Sequence, residues 1–107
     1  MTESNTIEIA ITDDTAKHRY EAHIGNELAG YAQYNLLTDA VMFAHTEVLS
    51  AFEGKGVGST LAKRVLDDAR ARKLHVIPVC EFIAGYIRKH RDYVDLVRED
   101  IQRVFKI

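Results

Sequence analysis

The chain predicts an α+β protein with an α/β-like mixed sheet: a four-stranded antiparallel meander, then helix, strand, helix, helix. Three observations carry this. Residues 7–49 alternate apolar and polar positions with a period of two, broken by short turn signals. Residues 57–73 switch to an apolar stripe with a 3.6-residue period. Between them lies Phe52-Glu53-Gly54-Lys55-Gly56-Val57-Gly58-Ser59-Thr60, with three glycines at alternate positions.

Residues 1–6 are polar and are expected to fray. Ile7, Ile9 and Ile11 alternate with Glu8, Ala10 and Thr12 as a half-buried strand, and Thr12-Asp13-Asp14-Thr15 reads as a turn. In the second strand His18, Tyr20, Ala22 and Ile24 share one face; Lys17, Arg19, Glu21 and His23 share the other. Gly25-Asn26 is a tight hairpin turn. Leu28 to Leu37 is the return strand, Thr38-Asp39 a second turn, and Ala40 to Leu49 the fourth strand. The helix after the glycines carries Val57, Leu61, Val65 and Ala69 with Ala62 and Leu66 beside them, and its basic residues cluster toward its C-terminus, as the helix dipole favours. His75 to Val79 is the fifth strand. Pro78 cannot donate to a ladder, which predicts an edge strand or one that splays from its neighbour. A second helix runs from Glu81 to about His90 with Phe82, Ile83, Tyr86 and Ile87 inward. After a break at Arg91-Asp92-Tyr93, a third runs from Asp95 to about Phe105.

Composition bounds the function. The 107 residues form a single domain, 1–107, and 47% apolar with 28% charged residues is ordinary for a globular chain. Fourteen basic and 16 acidic residues, a net charge of −2, leave no electrostatic footprint for nucleic acid or an anionic membrane. No apolar run approaches the roughly 20 residues of a membrane span, and the N-terminus lacks a signal-peptide pattern. A cytoplasmic location is the default. One cysteine, Cys80, excludes an intrachain disulfide, and the five scattered histidines lack metal-ligand spacing.

The glycine stretch is the chemical signal. A strand, a glycine-rich turn and a helix start together suggest an anion site, because glycine lets the backbone take φ > 0 and approach a ligand. The free N–H groups of the first helical turn then point at it. A turn that needs glycine only for its geometry is the alternative. The P-loop is set aside because Lys55 sits between glycines, and the dinucleotide fingerprint because Ser59 stands where its third glycine belongs. What remains, Glu53-x-x-Gly56-Val57-Gly58, resembles the acetyl-CoA loop of the GNAT acetyltransferase superfamily, usually Gln/Arg-x-x-Gly-x-Gly/Ala. Glu53 departs from that pattern and is expected to point away from a pyrophosphate. The resemblance covers roughly residues 7–95, with His45-Thr46-Glu47-Val48 and Cys80 at a helix head. It implies the smallest, single-domain branch of the superfamily, because only Thr12 to Ala16 stands where typical members carry two acceptor-site helices. The substrate cleft is then open or completed by another molecule.

The resemblance implies acetyl-CoA as cofactor, its phosphates on backbone amides around Glu53, Gly54, Lys55, Gly56, Val57, Gly58, Ser59 and Thr60. The Val48 or Leu49 N–H would polarise the thioester carbonyl if a bulge frees it. It also implies a fourth-strand glutamate as base, here Glu47; an exposed strand carboxylate is the other reading. His45 is a base, a substrate contact or a structural histidine. Cys80, at a helix N-terminus that lowers a thiol's pKa, is an acetyl carrier, a pocket-lining residue or a small buried apolar one. Tyr86 is core or the acid that protonates the coenzyme A thiolate; its register does not match the usual Asn-x-x-Ala-x-x-x-Tyr pattern.

Three functions remain at this point: an acetyl-CoA-dependent N-acetyltransferase whose amine acceptor, of unidentified kind, attacks directly; a coenzyme A-binding module without turnover; and an interaction domain on the same scaffold. Monomer and homodimer are both open.

Overall fold

The computed structural model describes residues 8–107, so the expectations for residues 1–6 and for Ile7 lie outside the described residues. Five strands form one sheet in the order β1 (Ala10–Asp14), β2 (Arg19–Ile24), β3 (Glu27–Leu36), β4 (Ala40–Val48) and β5 (His75–Pro78). The first four are antiparallel neighbours, and β5 runs parallel to β4. The expected meander and its mixed edge are therefore present, and Pro78 ends an edge strand, where its missing N–H leaves no ladder gap.

β1 corrects one expectation. Thr12, Asp13 and Asp14 are strand, not turn; they pair with Glu21, Tyr20 and Arg19. The Asp13 carboxylate accepts from the Tyr34 hydroxyl at 2.6 Å, which holds the strand extended. The turn moves to Thr15–His18, where the Lys17 N–H donates to the Asp14 carbonyl and to its side chain. His18 sits in that turn at φ 55, exposed, rather than on the inward face of β2.

Helix α1 (Val57–Ala71) buries Val57, Leu61, Ala62, Val65, Leu66 and Ala69, as the stripe predicts. It packs on Tyr20, Ala22, Ala32, Tyr34, Val41 and Phe43 of the sheet in one core cluster. The Tyr20 hydroxyl donates to Asp68 at 3.0 Å across this interface. Helix α2 (Glu81–Lys89) buries Ile83, Ala84 and Ile87, whereas Phe82 remains exposed and Tyr86 half-buried. No helix of the described residues is long and apolar enough to cross a membrane.

The third helix is corrected as well. Residues Arg91–Leu96 form a 3-10 turn, Val97 and Arg98 are extended, and only Glu99–Gln102 is helical, as α3. Apolar spacing suggested a continuous helix, but tertiary ties hold the chain otherwise. The Tyr93 hydroxyl donates to Asp67 on α1 at 2.6 Å. Arg70 grips the Asp95 carboxylate and the Asp92 carbonyl. The Gln102 amide donates to the carbonyls of Val94 and Val97, ends that an unbroken helix would have used itself.

Candidate active site

The site forms where β5 leaves β4. The parallel ladder joins only Ala40–Phe43 to His75–Pro78, and the Cys80 N–H closes it on the Phe43 carbonyl at 2.8 Å. Beyond that point β4 carries Thr46, Glu47 and Val48 past the end of its neighbour. A bulge at Ala44 resets which β4 residues face the core. Thr46 then lies on the helix side, where the Cys80 thiol donates to its hydroxyl at 3.3 Å. His45 and Glu47 lie on the opposite, polar face.

Backbone direction follows from the ladder. The Leu49 N–H donates to the Ala29 carbonyl at 2.8 Å, so it is not free. Adjacent residues of an antiparallel strand point their N–H groups to opposite sides. Val48, opposite Gly30, therefore turns its N–H toward the opening that β5 has left. Of the two amides considered from sequence, Val48 alone is placed to meet a ligand there.

The glycine stretch follows directly. After a 3-10 turn at Ser50–Phe52, Gly54 and Gly56 both adopt φ +81, a conformation side chains rarely take. No atom lies within 4 Å of where a Cβ would stand at either position, so the backbone is open to an incoming group. Gly56 caps α1 without any side-chain cap. The Thr60 N–H and hydroxyl both return to the Gly56 carbonyl, at 3.0 and 2.8 Å. The N–H groups of Val57, Gly58 and Ser59 are left without a partner inside the helix, with no acidic residue in the first turn. This arrangement fits a pyrophosphate. Glu53 is exposed and hydrogen-bonds none of these amides.

Two more glycines position the loop. A Cβ on Gly30 would stand 2.7 Å from the Glu47 carbonyl oxygen and 3.1 Å from Val57. Its absence lets the start of α1 sit against the end of β4. At Gly58 a Cβ would stand 2.6 Å from the Phe82 ring, so α1 and α2 approach there. Gly30 was legible as a strand glycine marking close approach, a signal the sequence reading passed over.

On the polar face, His45 Nε2 and the Tyr31 hydroxyl both reach Glu47 Oε1, at 3.1 and 3.2 Å. An ionised carboxylate only accepts, so in this contact the His45 Nε2–H is the donor. These bonds, His45's first, hold the Glu47 carboxyl below the usual carboxylate range. Desolvation and the charge of Glu47 push the Tyr31 phenol up. The Arg19 guanidinium lies 4.7 Å over the Tyr31 ring and donates to the buried Glu21 at 2.8 Å. Tyr31 was not among the candidates read from sequence. Only the cross-strand pairing Tyr31↔Glu47 reveals it.

The candidates thus divide. Glu47 and His45 meet on one face; Cys80 and Thr46 meet on the other. Tyr86 is not brought to Cys80. It lies six residues further along α2, about 9 Å of helix rise, stacked on His90 with ring centroids 3.9 Å apart. Burial raises its phenol pKa, and Lys63 offsets this in part. Among the described residues no three His, Cys, Asp or Glu side chains come together as a metal site.

A family model described as GCN5-related N-acetyl-transferase matches residues 19–96. Among solved structures, the NMR solution structure of a GCN5-like protein from Staphylococcus aureus superposes with a TM-score of 0.63 at 24% identity. The match covers 89% of this chain and 91% of that one, a likeness of fold. No curated protein matches the chain.

Proposed function

The chain belongs to the GCN5-related N-acetyltransferase family, and on that premise we propose that it transfers an acetyl group from acetyl-CoA to an amine by direct attack. One observation carries the reading: the end of β4 offers the Val48 N–H to the opening and the His45–Glu47 pair beside it. A carbonyl-polarising donor and a proton acceptor are the two groups acyl transfer to an amine requires from a protein.

Bound acetyl-CoA would supply the acetyl group as a thioester, whose C–S bond would break as the C–N bond of the amide forms, coenzyme A leaving as its thiolate. The amides of Val57, Gly58 and Ser59 would hold the phosphates, and the Val48 N–H would stabilise the carbonyl oxygen. The amine's proton passes to the His45–Glu47 pair, with Glu47 orienting the imidazole and balancing its charge. Cys80 lines the opening, its thiol held on Thr46.

Calorimetric titration with acetyl-CoA, followed by acetyl transfer to a panel of lysine peptides, polyamines and amino acids, tests this. Binding without transfer to any amine would leave a coenzyme A-binding module. No binding at all would remove the reading.

A further inference from the structure

Coenzyme A carries two separate anionic groups, a pyrophosphate and a 3′-phosphate on its ribose. The cations around the α1 amino end are mostly already committed. Lys63 pairs with Asp67 at 2.8 Å, Arg64 with Asp68 at 3.2 Å and Arg88 with Glu81 at 2.6 Å. Two lysines near the site pair with no carboxylate among the described residues: Lys55, inside the glycine loop, and Lys89, the last residue of α2.

Lys89 lines a groove of about 270 Å³ that begins at Ser59, one of the α1 residues with an uncommitted N–H. Phe82, Tyr86 and Lys89 run along it on one face of α2, at the spacing of successive helical turns. The stacked Tyr86 and His90 rings, inclined by 17°, give it a flat aromatic wall. At Gly85 a Cβ would meet only ordinary contacts, at 3.8 and 3.9 Å. Packing therefore does not demand a glycine there, and its effect is a wider groove. The one acid lining it, Glu81, is neutralised by Arg88.

We propose that Lys89 binds the 3′-phosphate of coenzyme A, with the ADP end lying in this groove, so that the protein discriminates coenzyme A from its dephospho form. The assignment rests on the acetyl-CoA reading above. It extends that reading to a residue outside the glycine loop.

The test is calorimetric titration of the full chain with coenzyme A and with dephospho-coenzyme A, in wild type, Lys89→Ala and Lys55→Ala. Wild type is expected to prefer coenzyme A. Lys89→Ala is expected to weaken coenzyme A binding by about fivefold, the scale of an exposed ion pair, and to leave dephospho-coenzyme A unchanged. Lys55→Ala is expected to weaken both ligands alike. The preference should shrink as salt is raised. If both ligands bind wild type and Lys89→Ala with the same ratio, the assignment is wrong and Lys89 is only a favourable charge at a helix end. In that case the acetyl-CoA reading stands. If neither ligand binds wild type, both fall together.

Discussion

His45 and Glu47, two residues apart on β4, face each other on the polar side of the sheet, Nε2 to Oε1 at 3.1 Å. The Tyr31 hydroxyl from the neighbouring strand meets the same oxygen. Neither contact reaches Cys80, which lies with Thr46 on the helix side of the same strand. The strand end therefore separates the His45–Glu47 pair from the thiol.

Glu47→Gln and His45→Gln should each lower the rate of acetyl transfer by on the order of 10²-fold or more, with acetyl-CoA affinity unchanged by calorimetry. Loss of affinity in step with rate would instead make the pair part of the binding site.

Tyr31→Phe removes one of two hydrogen bonds that favour the charged form of Glu47, so the Glu47 pKa should rise toward its ordinary value. Carboxyl-carbon NMR titration reads this directly. The sign for stability follows. A carboxylate with a depressed folded pKa stabilises the fold above its unfolded pKa, and that contribution is lost as pH falls through the folded value. The variant should lose less stability on acidification than wild type. An unmoved Glu47 titration would show that the Tyr31 contact does not persist in solution.

Gly56→Val places a β-branched residue at φ +81. It should destabilise the protein by about 1–3 kcal/mol and abolish acetyl-CoA binding in the fraction that folds. Retained micromolar binding in a folded Gly56→Val protein would remove the glycine loop from the site.

Cys80 is buried and its thiol donates to Thr46. With direct attack, intact-mass spectrometry after incubation with acetyl-CoA should find no acetyl group on the protein, and Cys80→Ala should still transfer. A stable or transient acetyl adduct at Cys80 would replace direct attack by a two-step route.

The phenols of Tyr20, Tyr34 and Tyr93 are raised by burial first, and then by the carboxylates of Asp68, Asp13 and Asp67 beside them; Tyr34 is pushed up to about 12. A raised folded pKa means stability that is present below the unfolded value, about 10, and lost as pH rises through the folded one. Phenolate absorbance from these residues should appear late and together with loss of the far-ultraviolet dichroism. Ordinary titration with the fold intact would contradict the hydrogen bonds.

The sequence was most legible where local periodicity and tertiary demand agree. The strands β2 to β4 and the stripe of α1 appear where expected, because burial on one side of a sheet or helix is largely written into residue order; the departures are Glu21, buried between Tyr20 and Ala22, and the break in alternation at the β4 bulge. It was least legible in residues 91–105, where the same apolar spacing serves a 3-10 turn and a short helix. There Tyr93, Arg70 and Gln102 fix the path through bonds to distant groups.

By itself, the sequence determined the mixed α+β architecture, the glycine loop between a strand and a helix, and a Pro78 strand that lies at an edge or splays from its neighbour, since backbone dihedral limits and hydrophobic periods are local properties. Only the tertiary structure decided that Val48 rather than Leu49 offers its N–H and that Tyr31 joins Glu47. Those depend on ladder register and on one bulge at Ala44. A shift of a single residue in pairing turns every following side chain to the other face, and no residue in the strand announces it.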